Sequence, residues 1–412
     1  MICPDKNNFA PRIGIVYALT KDQKTVLRAG GGFSYFAGDN GGKMMQQDPP
    51  MSLIQQFTTT ATAAPTMLLS QGLPLPVQPN LTDPSQLTQL FYAWDPNLKL
   101  AKSLQWSAGI QRELVSNLML DVSYVGSRTL DMIDIVNANQ AAPGPGSLGP
   151  RRPLNNVNPA IGDLPFRTNY GAAKYHSLQV NLTKHYGRGL TGTVAYTWSH
   201  NMANVLGPNA NDYPQDDRCY KCEWGSVPED RRHMLVVNHV YELPFGTGRR
   251  FVNRGLLSYV LGNWDISGLW TMYSGLHFTP SISTSVSGSI GAPLVQPVER
   301  PDVNGTGNLP VDQRHVTHWF NTAAFSIPLA YTFGNAGWGI LEGPGLFTAD
   351  LGIHRAFPIR ERMKLTLRWE MFNAFNRANF NNPNAVIGSP AAGTISATYP
   401  SRSMQVALKL TF

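Results

Sequence analysis

Two cysteines three residues apart, Cys219 and Cys222 in "DDRCYKCEW", are the side chains whose spacing points most directly to chemistry. A Cys-x-x-Cys pair can be redox-active, form half of a zinc site, or close a small-loop disulfide. Zinc needs two more ligands; the third cysteine, Cys3, stands alone near the start, and His233 is only a loose candidate. A thioredoxin-like role needs a βαβ context, which this stretch lacks. In an oxidising extracellular loop, the expected state is a local disulfide.

The same stretch gathers Asp212, Asp216, Asp217, Glu223, Glu229 and Asp230. Oxygen-rich clusters hold Ca²⁺, but this spacing is not that of an EF-hand loop, and solvated loop carboxylates explain it. Asp230-Arg231-Arg232-His233 has the residue types of acid–base chemistry. Its place at a loop-to-strand junction predicts an interface or lumen salt bridge instead. "AGGGF" (Ala29 to Phe33) lacks the Gly-x-x-x-x-Gly-Lys pattern and a following helix, so its glycines are expected to bend a barrel strand. "FNAFNRANF" (Phe372 to Phe380) reads as turn asparagines beside interfacial rings. No Ser-His-Asp or paired-carboxylate arrangement emerges, so neither an enzyme nor a cofactor is expected.

The elements that must position these residues are strands. Only 14% of the chain is charged, against roughly 25% in soluble domains, while Gly (38), Pro (31) and aromatics (10%) are abundant. That mix favours strands and irregular loops over helices. The net charge of +7 is spread out rather than clustered, with pairs at Arg151-Arg152, Arg231-Arg232 and Arg249-Arg250, so nucleic acid is not an expected partner. No segment approaches the roughly 18–20 apolar residues of a membrane helix. The start, "MICPDKNNFAPR", has no apolar signal-peptide core.

Period-2 alternation marks about eleven strands. In "LQWSAGIQREL", Leu104, Trp106, Ala108 and Ile110 oppose Gln105, Ser107, Gln111 and Glu113; in "RMKLTLRWEMF", Met363, Leu365, Leu367, Trp369 and Met371 oppose Arg362, Lys364, Arg368 and Glu370. Connections alternate between short turns and long segments at roughly 36–103, 127–174, 199–231, 276–345 and 373–401. Such sorting is the habit of transmembrane barrels. The predicted fold is therefore an all-β, antiparallel transmembrane β-barrel in the cell outer membrane, with long outer loops and short periplasmic turns. An aromatic girdle is expected at the loop-side strand ends, from Tyr35, Trp106, Tyr124, Trp198, Trp270 and Trp369.

The closing stretch "SRSMQVALKLTF" places Met404, Val406, Leu408, Leu410 and Phe412 on one face, predicted to touch lipid. Pairing of this strand with the first is expected, because closure removes an edge otherwise unpaired in lipid. The terminal Phe on an alternating strand resembles the signal read by the bacterial barrel-assembly machinery.

"NFAPRIGIVYALTKDQKTVLRAGGGFSYF", "QWSAGIQRELVSNLMLDVSYVGSRT", "YHSLQVNLTKHYGRGLTGTVAYTWSHNM", "DRRHMLVVNHVYELPFG", "GNWDISGLWTMYSGLHFT" and "RWEMFNAFNRANF" together resemble strand pairs of the Oar-like TonB-dependent receptors. The resemblance implies a barrel of roughly 22 strands filled by an N-terminal plug, which binds and takes up a nutrient ligand under TonB energisation. No plug or TonB-contacting segment is expected within these residues, and an odd strand count would place the N-terminus outside the cell. Residues 1–412 are thus expected to be the C-terminal portion of such a barrel, about 11–12 of its strands. Expected partners are outer-membrane lipid, the barrel-assembly machinery, an extracellular ligand (glycan, oligopeptide or metal chelate) contacted by loops 36–103 and 276–345, and TonB only through the missing plug. A secreted soluble β-rich adhesin or carbohydrate-binding module is the alternative.

Overall fold

The computed structural model describes residues 5–37, 70, 72, 93–159, 161–187, 189–205, 213–290, 298–360 and 363–412. Cys3, Asp212, Arg362 and most of 36–103 lie outside these. Eleven long strands follow one another in a single antiparallel path: β1 (Arg12–Ala18), β2 (Thr25–Phe36), β3 (Ala101–Val115), β4 (Leu118–Asn137), β5 (Pro165–Gly187), β6 (Leu190–Ala203), β7 (His233–Glu242), β8 (Trp264–Tyr273), β9 (Leu346–Arg360), β10 (Met363–Phe372) and β11 (Ser403–Thr411). Every strand pairs with its sequence neighbours, so connections fall alternately on the sheet's two ends. Those leaving odd-numbered strands are short, apart from 243–263; those leaving even-numbered strands are long.

Directly opposed residues share a face. One apolar row runs Tyr17–Leu27–Ile110–Val122–Val180–Tyr196–Leu235–Met272–Phe347 across nine strands. The opposite face carries rows such as Gln111–Asp121–Asn181 and Glu242–Asp265–His354–Arg368. The apolar face is open along most of its length among the described residues: Ile15, Leu104, Ile110, Leu178 and Val194 are all exposed.

Two expectations need correction. β11 hydrogen-bonds β10 alone and β1 hydrogen-bonds β2 alone, so among the described residues the last strand does not pair with the first and the sheet has two open edges. An antiparallel meander of odd length brings its end strands out pointing the same way, and the apolar pattern of each strand carries no information about edge pairing. Secondly, the segment 127–174 is not all loop. β4 and β5 continue to Asn137 and from Pro165, pairing with each other through an irregularity near Met132. Ile133–Asn137 is buried throughout, so both faces of this extension are covered and no apolar/polar alternation marks it.

Candidate functional site: an apolar belt beneath a folded loop cap

Exposed aliphatic side chains dominate the apolar face, and rings gather on it toward the long-loop end. Trp106 lies flat over Gly126, whose missing Cβ makes room: a carbon there would meet the indole at 2.4 Å. His176 packs edge-on against Trp106 and stacks on Tyr124, with centroids 5.9 and 6.0 Å away. A second pair repeats the arrangement, with Tyr196 stacked on His233 at 6.2 Å. In both, the His stands two residues from the leucine opposing the Tyr (Leu178 and Leu235), and the tyrosine hydroxyl meets His Nδ1. Trp270 packs on Phe347 and Phe375. Trp198 and Trp369 are exposed on the same face, Trp369 between Ile353 and Val406, and Tyr35 opposes Lys102 near the end of β2. Met404, Val406, Leu408, Leu410 and Phe412 are all exposed.

Above the belt, the long connections fold together. Residues 277–278 pair with 341–342, 302–303 with 325–326, and 281–282 in parallel with 386–387. These pairings enclose a core of Ile282, Phe320, Ala324, Phe325, Ala336, Leu341 and Ile387. The 204–232 connection is joined to it by Arg300, whose guanidinium reaches both Glu223 carboxylate oxygens, the Cys222 carbonyl and, at 2.8 Å, the Ala336 carbonyl. The 138–164 connection joins through Arg151 Nη2, which donates to the Gly288 carbonyl at 2.7 Å. Four long connections therefore make one cap.

Cys219 and Cys222 are disulfide-bonded in this cap. The neighbouring carboxylates disperse: Asp216 pairs with Arg218 at 2.7 Å, Asp217 accepts the Asn137 backbone N–H at 3.1 Å, and Glu223 takes Arg300. Among the described residues no group of three or more His, Cys, Asp or Glu converges to hold a metal. Asp217 is pushed up to about 8, foremost by burial. Asp230 turns away from its arginine neighbours, accepting the Asn201 N–H at 2.8 Å with His277 Nε2 at 3.5 Å. Arg231 donates to the Ser274 carbonyl at 2.7 Å and lies over Tyr273. These contacts staple the loop-side ends of β6, β7 and β8. The asparagines of "FNAFNRANF" work similarly: Asn379 exchanges two hydrogen bonds with the Phe347 backbone, and Asn373 two with Arg377. Gly31 and Gly32 allow close strand approach, since a Cβ on Gly32 would meet Arg12 Cγ at 2.6 Å.

On the polar face near the short turns, a charged network includes Arg249–Glu242 at 2.6 Å, His354–Asp265 at 2.8 Å and Arg368–Glu370 at 3.1 Å. Sequence reading found Arg368 and Glu370 but not the buried Arg300–Glu223 link, whose members are 77 residues apart.

A single-layer antiparallel sheet with one lipophilic face, short turns at one end and a folded cap at the other is the architecture of a membrane-spanning β-sheet protein. The family model described as an outer membrane beta barrel domain matches residues 1–405, and the chain belongs to that family. It is accordingly an outer-membrane protein. Among solved structures, the chain is similar to the outer membrane transporter YddB from Escherichia coli (9% identity, TM-score 0.49, covering 98% of this chain and 41% of that one). It is also similar to FpvA of P. aeruginosa, solved with heterologous pyoverdines (11%, 0.45, 99% and 33%), and to the FrpB iron transporter from Neisseria meningitidis (11%, 0.42, 98% and 40%). The chain spans less than half the length of each. No curated protein matches it. Among the described residues no helix is long and apolar enough to cross a membrane.

Proposed function

We propose that the chain is the ligand-binding and barrel-forming part of an outer-membrane receptor that takes up a nutrient under TonB energisation, the ligand being a glycan, an oligopeptide or a metal chelate. The observation that carries this reading is the cap: two long connections share one core, a third is joined to it by a buried ion pair and a fourth by a hydrogen bond, instead of hanging free. A pre-organised surface binds with less ordering entropy than loose loops. Val311, Leu329 and Tyr331 are exposed on it and offer apolar contact to a ligand.

In this reading the cap faces outward and the short turns face the periplasm. Tyr35, Trp106, Tyr124, Trp198, Trp270 and Trp369 sit at headgroup depth, where amphipathic rings are favoured. Met404, Val406, Leu408 and Leu410 contact lipid, and Phe412 is read by the assembly machinery. The open edges of β1 and β11 support the view that 1–412 is one portion of a larger closed barrel, because an unpaired strand edge in hydrocarbon costs several kcal/mol per group. TonB acts only through a plug outside these residues.

Uptake assays test the proposal. Cells with and without the gene are offered labelled oligosaccharide, oligopeptide and ferric chelate in turn, with and without a protonophore. Saturable uptake of one class, lost on deletion and on protonophore addition, is expected. Equal uptake by both strains for all three classes contradicts it.

A further inference from the structure

The turn that joins β7 to β8 stands apart from the other short ones. Residues 243–263 include the helix α1 (Leu256–Leu261), six residues reading LLSYVL. Leu256 is 87% exposed, Tyr259 75%, and Leu257, Val260 and Leu261 are exposed as well; only Ser258 is buried, donating to the Gly255 carbonyl. A helix apolar all round belongs in a protein core or in lipid, and this one has no protein over it among the described residues.

Its surroundings favour lipid. Trp264, at the start of β8, shares the apolar face with Ile266 and donates its indole N–H to the Val260 carbonyl at 3.0 Å, which ties α1 to the rim of that face. Opposite Trp264 stands Arg355, its guanidinium 5.3 Å from the Trp264 ring and 4.3 Å from that of Phe357. Arg355 Nε is buried and meets no acceptor among the described residues. An arginine held between two rings at the rim of the apolar face is placed to snorkel toward headgroups. Arg250 and Arg254 are exposed in the same turn, whereas Arg249 is taken by Glu242. Exposed apolar helix, rim tryptophan and three cations lie together at one end of the sheet, continuous with the apolar belt.

We propose that this turn is a phospholipid-binding anchor. Leu256, Leu257, Tyr259 and Val260 embed in the headgroup–acyl boundary of the turn-side leaflet, and Arg250, Arg254 and Arg355 take phospholipid phosphates. Interfacial helices bind in this way, through apolar area plus attraction to anionic lipid. The anchor requires the membrane placement of the sheet but not transport, so an uptake assay that fails leaves it standing.

The test uses the full chain in phosphatidylethanolamine–phosphatidylglycerol bilayers, in a Cys3→Ser background with the Cys219–Cys222 disulfide intact. A polarity-sensitive fluorophore is placed at Leu257→Cys and, as a cap control, at Val311→Cys, which is 80% exposed in the parent. At 257, the label should emit further to the blue, be quenched severalfold more strongly by bromolipid, and resist aqueous iodide. Equal behaviour at the two positions overturns the anchor. Protection from iodide without bromolipid quenching also overturns it, because a second copy or another protein would then cover α1. For the phosphate contacts, Arg355→Gln should reduce phosphatidylglycerol co-purifying with the detergent-extracted protein at least twofold. An unchanged amount removes Arg355 from the proposal.

Discussion

Arg300 and Glu223 form a buried ion pair between two loops, their side chains 1% and 6% exposed. Both carboxylate oxygens are engaged, and the remaining guanidinium donors find the Ala336 and Cys222 carbonyls. Such a pair is worth little relative to a well-packed apolar replacement, but removing one partner strands a charge at a cost of about 3–5 kcal/mol. Glu223→Gln should therefore loosen the cap while leaving the sheet assembled. Trypsin nicking within 298–345, with heat-modifiable migration unchanged, is the expected readout.

Next to that pair, the Cys219–Cys222 disulfide closes a loop of four residues. Chain-entropy reasoning gives so short a loop about 2 kcal/mol. Reduction with dithiothreitol, or Cys222→Ser, should destabilise the cap by less than Glu223→Gln does. Urea midpoints for loss of cap hydrogen-exchange protection would rank the two.

Asp217 gives the cap a pH dependence. Burial, the leading cause, raises its carboxyl to about 8, against 3.8 for an ordinary aspartate. The folded cap holds the proton where an open loop has already released it. Stability from this group is thus fully present below about pH 4, falls as pH rises, and is lost once pH passes about 8. Exchange protection of the Asn137 amide, which donates to Asp217 Oδ2, should decline over that window beyond the intrinsic rate change. Asp217→Asn should flatten the decline.

The strand framework was readable from sequence because each strand keeps one face in contact with a different medium from the other. Leu178, Val180 and Leu182 recur at period 2 for that reason. The cap was not readable. Its pairings are two residues long, its core residues Phe320, Leu341 and Ile387 follow no period, and Asn379 gives no sign that it will clamp Phe347. LLSYVL fits a buried strand or a core helix equally well on composition. Closure with β11 was expected from edge chemistry alone, and pairing partners are decided by contacts far apart in sequence.

Two tyrosine–histidine diagonals recur on the apolar face, Tyr124–His176 and Tyr196–His233. A hydrogen bond of this kind is worth about 0.5–1.5 kcal/mol net. Tyr196→Phe should lower the unfolding free energy of the bilayer-embedded protein by that amount, measured by urea titration of tryptophan emission. A histidine-free control, Tyr241→Phe, should change it less.

Which face of the sheet meets hydrocarbon is decided at Thr193 and Val194, neighbours on opposite faces of β6. Val194 is opposed by Leu182 and Val237, and Thr193 by Thr183 and Asn238. A lysine on a lipid face costs about 2–4 kcal/mol near mid-bilayer. The measurement is the amount of heat-modifiable protein recovered from outer membranes for V194K and T193K expressed at equal levels. Severalfold loss for V194K with near-parental recovery for T193K is the predicted result. Equal recovery of the two, or greater loss for T193K, contradicts the account.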